Sequence, residues 1–179
     1  KIFKKQDIIN FMKTTKTIKP TVLFKKQGKN LRCLACAHKC VISEGKTGIC
    51  RVRKNIKGKL NLLVYGKVVA KHIDPIEKKP LYNFLPGSKT FSIGTLGCNF
   101  KCDFCQNFDI SQAQTLYGEK IAGEEITPKQ IVEQAIESGC KSIAYTYNEP
   151  AIFIEFVRDI AELAKKSGLK NILVTNGYL

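Results

Sequence analysis

Three cysteines fall close together, Cys98, Cys102 and Cys105, spaced C-x3-C-x2-C within Gly97-Cys98-Asn99-Phe100-Lys101-Cys102-Asp103-Phe104-Cys105-Gln106-Asn107. Thiolates are the ligands of iron–sulfur clusters, and a cubane [4Fe–4S] cluster ordinarily takes one cysteine on each of its irons. This loop is one ligand short, and the next cysteine along the chain, Cys140, belongs to a different element. A missing ligand leaves one iron open for chemistry, much as a catalytic zinc site keeps one coordination position open. A structural zinc knuckle would instead show paired C-x2-C clips and a closed shell, and a ferredoxin loop would carry further cysteines nearby.

A second group precedes it: Cys33-x2-Cys36-x3-Cys40-x9-Cys50, around Gly45 and Gly48. Soft ligands at clip spacing suit a closed tetrahedral shell. Structural zinc is the first expectation for Cys33, Cys36, Cys40 and Cys50, with an auxiliary iron–sulfur cluster as the alternative and His38 as a substitute ligand.

Elements must position both groups. Phe91 to Leu96 is an apolar run that reads as a strand, and the three-cysteine loop comes directly after it. Thr127-Pro128-Lys129-Gln130 opens a helix, with Thr127 as N-cap, proline at the first helical position and Gln130 completing a capping box. Gly139 ends that helix, and Ser142 to Tyr147 reads as the second strand. Apolar residues at helical spacing run from about Ile152 to Lys166, Gly168 stops them, and Asn171 to Thr175 is the third strand. Ser138-Gly139-Cys140-Lys141-Ser142-Ile143 is echoed 29 positions later by Ser167-Gly168-Leu169-Lys170-Asn171-Ile172, the periodicity of repeated βα units. In a parallel sheet, function gathers where strands end. The cysteine loop, Tyr147-Asn148-Glu149-Pro150 and Asn176-Gly177-Tyr178 therefore share one rim, whereas Cys140 starts a strand at the other rim and reads as a buried core thiol. Upstream, Cys50 to Arg53 and Leu60 to Tyr65 flank a Lys57-Gly58 turn, and Lys67 to Ile73 continues a small antiparallel sheet. Asp74 to Pro80 reads as a charged linker, and residues 1–30, lysine-rich with Ile8, Ile9, Phe11 and Met12, as a short helix and linker.

The net charge of +15 is uneven, +18 over residues 1–89 and −3 over residues 90–179. A basic half admits an anionic partner, RNA included. Only four of the thirty basic residues are arginine, the residue suited to bidentate phosphate contacts, so a solvated lysine-rich surface is preferred over RNA. No apolar run is long enough for a bilayer, and eight cysteines at metal-ligand spacings without an export signal argue for a reducing cytoplasm. The chain starts without methionine and stops just past a strand, so it reads as part of a longer protein.

The three-cysteine loop after a strand, with Phe104 inside it, resembles the signature of the radical S-adenosylmethionine (SAM) enzymes. The resemblance implies that Cys98, Cys102 and Cys105 each hold an iron of a [4Fe–4S] cluster whose free iron chelates SAM, and that reductive cleavage of SAM releases a 5′-deoxyadenosyl radical. It implies that Phe104 packs by the adenine and that Glu149, which matches the glutamate ending the second strand, accepts a hydrogen bond from the SAM amino group. Tyr147-Asn148 replaces the usual two glycines before that glutamate, and Asn148 would offer a side-chain hydrogen bond. Asn176-Gly177 resembles the third-strand ending of glycyl-radical-enzyme activases. The cysteine loop and Glu149-Pro150 are similar to pyruvate formate-lyase activating enzyme. The span Cys33 to Asn107 resembles the radical SAM member of the AmmeMemoRadiSam system, departing from it at Ala37, where a proline is expected, and Asn83, where a histidine is expected.

Together these readings give an α/β chain: residues 1–30 a basic helix and linker, 31–89 a small cysteine-rich metal-binding module with antiparallel strands, and 90–179 the first strands of a radical SAM (β/α) partial TIM barrel. The implied reaction is hydrogen-atom abstraction after SAM cleavage, on a protein partner, with electrons from a flavodoxin- or ferredoxin-type donor. A glycyl-radical activase, an RNA-modifying enzyme and a non-catalytic electron carrier are the alternatives. No catalytic side chain is assigned.

Overall fold

The computed structural model describes residues 19–118 and 120–179. The expected helix around Ile8 to Met12 lies outside them. Twelve strands are present among the described residues: β1 (Lys19–Pro20), β2 (Phe24–Gln27), β3 (Asn30–Cys33), β4 (Val41–Ile42), β5 (Arg53–Ile56), β6 (Lys59–Leu62), β7 (Lys67–Val68), β8 (Ala70–Pro75), β9 (Lys89–Gly94), β10 (Glu124–Glu125), β11 (Ser142–Tyr145) and β12 (Lys170–Leu173). The helices are α1 (Phe108–Ser111), α2 (Ala113–Tyr117), α3 (Pro128–Glu137) and α4 (Ile154–Lys166).

The site rests on a four-stranded sheet in the order β12-β11-β9-β8. Strands β9, β11 and β12 are parallel, with Ser142 opposite both Thr90 and Lys170, and β8 closes the edge antiparallel to β9. One face carries Phe91, Ile93, Ile143 and Tyr145 into a core with Ile131, Val132 and Ala135 of α3 and Phe156, Val157, Ile160 and Ala164 of α4. The expected capping box at Thr127 and Gln130 is formed, with proline at the helix start. The two halves of the repeat end alike. Cys140 N–H donates to Ala135 O at 3.0 Å and Leu169 N–H to Ala164 O at 2.9 Å, each bond reaching back across a glycine with positive φ, Gly139 and Gly168. This is the Schellman closure that a left-handed residue permits.

All three strands stop earlier than the apolar runs suggest, β9 at Gly94, β11 at Tyr145 and β12 at Leu173, while β9 and β12 also start earlier and β11 starts at Ser142 as expected. Just beyond them Thr146 N–H still donates to Ile93 O and Val174 N–H to Tyr145 O, and further on Thr95 N–H and Asn176 N–H turn to the side chains of Asn148 and Glu149. The second helix begins as a 3-10 turn, Pro150–Phe153, before α4.

Two smaller sheets, β1-β6-β5 and β2-β3-β4, form the upstream half. Strands β5 and β6 turn on Lys57 and Gly58, both at positive φ, as a two-residue type I′ hairpin requires. Two upstream expectations are corrected. Residues 19–30 are not a linker: they hold β1 and β2, which pair with β6 and β3. Ala70–Pro75 does not continue the small sheet but hydrogen-bonds along the whole of β9, because the exposed edge of a parallel sheet offers unpaired backbone groups to a neighbouring strand. Asp74 thus sits in the main sheet rather than in a linker, and Lys67–Val68 pairs instead with β10.

The halves are fastened by a buried ion pair. Arg53 is 1% exposed, donates to Glu155 of α4 through both terminal nitrogens and to Ile152 O at 2.9 Å, and Thr21 bonds the same carboxylate. Burial alone would push the Glu155 carboxyl up, but the Arg53 guanidinium overrides it and holds it below the ordinary range.

Candidate functional site

The three-cysteine loop leaves β9 through Gly97, at φ +87°. A Cβ there would lie 2.6 Å from Cys50 O and 2.7 Å from Val52 Cγ1, so only glycine lets the loop lie against the upstream half. The loop is tied to the α1–α2 segment by Gly97 N–H to Ile110 O at 3.0 Å and by Gln112 Nε2 to Phe100 O at 2.9 Å. Cys98 and Cys105 are half-buried and Cys102 is exposed. Burial pushes the Cys98 thiol up, and the nearby Glu149 carboxylate and Cys105 thiol act in the same sense. A cluster must displace protons from such thiols, which the charge of bound iron does. Phe104 is 87% exposed.

Glu149 is 3% exposed and joins two strand ends. Its Oε1 accepts from Ala151 N–H at 2.9 Å and Thr175 Oγ1 at 2.8 Å, and its Oε2 from Asn176 N–H at 2.7 Å. The first of these caps the 3-10 turn. Asn148 is spent differently from the expectation. Both of its amide hydrogens are donated, to Thr95 Oγ1 at 3.0 Å and Gly97 O at 2.8 Å, and its Oδ1 accepts from Thr95 N–H at 3.2 Å. It braces the start of the cysteine loop rather than facing a ligand, because buried polar groups take the partners within reach. Asn176 reaches the loop itself, donating from Nδ2 to Asn99 Oδ1 at 2.9 Å. Cys140 is buried at the start of β11, away from this rim.

The second cysteine group lies alongside. Cys33, Cys36, Cys40 and Cys50 line one cavity, whose far wall is Asn99 of the cysteine loop and Ile152. Cys33 and Cys50 are buried and Cys36 and Cys40 half-buried. Burial pushes the Cys50 thiol up to about 12 and Cys33 in the same direction, while Arg53 opposes both. His38 also lines the cavity, but its Nε2 donates to Asn99 O at 2.9 Å, which removes that nitrogen as a ligand. Its ring meets Tyr178 edge-on at 4.8 Å, and Ala37 N–H donates to Tyr178 O at 3.2 Å. Among the described residues, no three His, Cys, Asp or Glu side chains converge on a single-ion site. A cluster does not ask for that convergence, since each thiolate binds its own iron.

The sheet face opposite α3 and α4 is mixed, with a small apolar cluster of Ile76, Ala144 and Ile172 beside a polar one. Asp74 accepts from Lys78 and Lys79 at 2.8 Å each and from Tyr147 Oη at 3.1 Å, and the Tyr147 ring meets His72 edge-on at 5.7 Å. Burial pushes the Asp74 carboxyl up, and the two lysines overcome it and hold it well below the carboxylate range. Tyr147 takes a positive φ of 70°, costly for a tyrosine, at the place where glycine is expected. Sequence reasoning missed this cluster because its members come from three elements; the non-glycine pair before Glu149 was the signal for it.

Compared with known proteins, residues 92–179 match the Radical SAM superfamily. This stretch is a radical SAM domain. It contains the cysteine loop, Glu149 and Asn176. The chain is also similar to two proteins of Methanocaldococcus jannaschii: the uncharacterized protein MJ0808, 45% identical over 149 residues, and the uncharacterized protein MJ0674, 32% identical over 141 residues. These alignments cover 83% and 75% of this chain but 44% and 36% of the relatives, so the chain spans less than half the length of either. Membership supports SAM-dependent radical chemistry and an iron–sulfur cofactor in general. Among the described residues no helix is long and apolar enough to cross a membrane.

Proposed function

We propose that the chain carries the SAM-cleaving half of a radical SAM enzyme, with Cys98, Cys102 and Cys105 holding a [4Fe–4S] cluster that keeps one iron for SAM. The observation that carries this is the meeting of a three-cysteine loop with the buried Glu149 carboxylate on one rim of a radical SAM domain, while Cys140 lies at the other end of its strand. When bound, the cluster supplies the electron that cleaves the SAM sulfonium to give a 5′-deoxyadenosyl radical for hydrogen abstraction. The chain's own residues do the positioning. Asn148 fixes the backbone from Thr95 to Gly97 beneath the loop. Glu149 Oε2 accepts one protein hydrogen bond and keeps acceptor capacity for the SAM ammonium, and Asn176 pins Asn99 beside Cys98.

Strands β9, β11 and β12 are the first three of a partial (β/α) barrel, and the polar patch on its inner face, with Tyr147, His72, Asp74 and Lys79, receives the substrate, a protein partner. A flavodoxin- or ferredoxin-type donor reduces the cluster in the cytoplasm. The cysteine-rich module, expected over residues 31–89, contributes β8 to the barrel sheet and holds a second metal on Cys33, Cys36, Cys40 and Cys50.

The test uses the full-length protein, anaerobically reconstituted and reduced. Adding SAM should change the electron paramagnetic resonance signal of the cluster and 5′-deoxyadenosine should accumulate. A fourth protein ligand on that cluster, or an unchanged signal without deoxyadenosine, overturns the proposal.

A further inference from the structure

We propose that the basic upstream half and the cysteine loop beside it form the docking face for an acidic electron carrier of the flavodoxin type. The purpose of docking rests on the reading of the rim as a cluster site, but the binding itself needs no cluster. Between Lys19 and Ile73 the sequence has fourteen basic residues and one acidic residue, Glu44. The Glu44 carboxylate is spent on the backbone, accepting from Lys57 N–H at 2.7 Å and Gly58 N–H at 3.0 Å. Three of the cations, Lys19, Arg53 and Lys71, pair with Asp159, Glu155 and Glu124 and so hold the halves together. Lys25, Lys26 and Lys29 on the β2–β3 hairpin and Lys57 and Lys59 on the β5–β6 hairpin are exposed, and they form no ion pair among the described residues. Solvated surfaces ordinarily intersperse the two signs. A face of one sign repels itself and steers a partner of the other sign toward it.

The charge reaches the loop. His38 Nε2 donates to Asn99 O, and the next residue, Lys39, is exposed. Cys50 O abuts Gly97, and half-buried Arg51 follows it. Lys101 is exposed within the loop, directly before the exposed Cys102, and Asp103 is the loop's one carboxylate. Phe104 and Phe108 are 87% and 58% exposed, an apolar spot close to that thiol in the chain. An apolar centre within a polar surround is the anatomy of a protein interface. Lysine is a point charge without the planar fork that grips phosphates, so the lysine-rich face fits the carboxylates of an acidic protein better than RNA. Exposed aromatic side chains meet the flat edge of a flavin by stacking or edge contact. Once docked, the reduced carrier gives up one electron to the rim cluster, and no atom is transferred.

The experiment titrates an acidic flavodoxin into the full-length protein, with and without reconstituted iron and sulfide, by calorimetry at low and high salt. Affinity should fall by about tenfold or more as salt rises, and by a similar factor at low salt when Lys39→Glu is combined with Arg51→Glu. Lys101→Glu gives a second reading if the double variant does not fold. Lys141→Glu with Lys170→Glu reverses two exposed lysines at the opposite ends of β11 and β12, and should change affinity by less than about twofold. Stopped-flow reduction of the cluster by the flavodoxin should slow in the near-loop variants, whereas reduction by photoreduced deazaflavin should not. Binding that ignores salt, unchanged affinity in the near-loop variants, or equal loss in the far-end variant overturns the proposal. So does binding of RNA or of an acidic ferredoxin in place of the flavodoxin. A protein that binds the carrier as expected but forms no cluster on the rim refutes the cluster reading alone, so the two fail separately.

Discussion

The two cysteine groups sit wall to wall and are built to opposite plans. The upstream four line a cavity, two of them buried, with isoleucines around them and a guanidinium tied down by Glu155. The downstream three lie on a rim loop, Cys102 in solvent, beside a carboxylate whose hydrogen bonds join two strand ends. A closed set of four suits a centre that is held, and an open set of three suits a centre that is used. The contrast is one of surroundings as much as of ligand number: the upstream thiols are fixed by packing, whereas the downstream loop is fixed by side chains, Asn148 and Asn176, that belong to other strands.

The sharpest break of this comparison is at the rim. Changing Cys98, Cys102 or Cys105 to serine should remove the downstream cluster and reduce SAM cleavage to background, because serine supplies neither the charge nor the softness of a thiolate. Any metal held by Cys33, Cys36, Cys40 and Cys50 should survive. Iron counts on each variant check this, and loss of all metal from Cys102→Ser would show that the two groups are one site.

Next comes the fastening between the regions. Arg53→Ala leaves Glu155 buried without its partner, and removal of one member of a buried pair costs about 3–5 kcal/mol. Replacing both members with Arg53→Met and Glu155→Leu should recover most of that loss, since an apolar pair of similar volume avoids the desolvation penalty. Urea unfolding of the two variants measures it, and equal destabilisation would mean that packing rather than charge matters there.

These two regions are not equally legible in the sequence. The capping box of α3, the repeated helix ends at Gly139 and Gly168 and the Lys57-Gly58 turn are local, and the residues that specify them lie within a few positions of one another. The cysteine spacings are legible for the same reason. Pairing over distance is not. Alternation marks Lys67 to Ile73 as a strand without saying that β9 is the partner of Ala70–Pro75, and nothing near Arg53 announces Glu155, 102 residues on. Asn148 departs from expectation for the same cause: its amide is claimed by Thr95 and Gly97, 53 and 51 residues earlier, and only the folded chain brings them together. The place expected for Phe104 rests on resemblance alone, and in the loop it is exposed together with Lys101, Cys102, Asp103 and Gln106.

A smaller effect separates holding a cluster from using it. Glu149→Ala removes an acceptor for the SAM ammonium but no thiolate, so iron content should stay constant while SAM binds roughly 10- to 150-fold more weakly, the equivalent of a charge-assisted hydrogen bond of about 1.5–3 kcal/mol. The same change frees Asn176 N–H and Thr175 Oγ1, so Glu149→Gln, which keeps acceptor oxygen at the site, is the control. Titration of SAM by its effect on the resonance signal gives both values. Equal weakening in the two variants would point to the carboxylate charge, and loss confined to alanine would point to its role as a strut.

The smallest effect tests whether the two regions communicate at all. His38 stands between Cys36 and Cys40 and donates to Asn99 O, one residue from Cys98, while Asn99 Oδ1 receives Asn176 and Asn176 N–H reaches Glu149. This run of hydrogen bonds leads from the upstream group to the Glu149 carboxylate. His38→Ala removes one neutral hydrogen bond, worth about 0.5–1.5 kcal/mol, and with it the edge contact to Tyr178. If the rim is held partly from upstream, SAM affinity should fall by about two- to tenfold in His38→Ala and recover in His38→Gln, whose amide can still donate, with metal content unchanged. Unaltered SAM affinity in His38→Ala would mean that Asn148 and Asn176 hold the rim without His38.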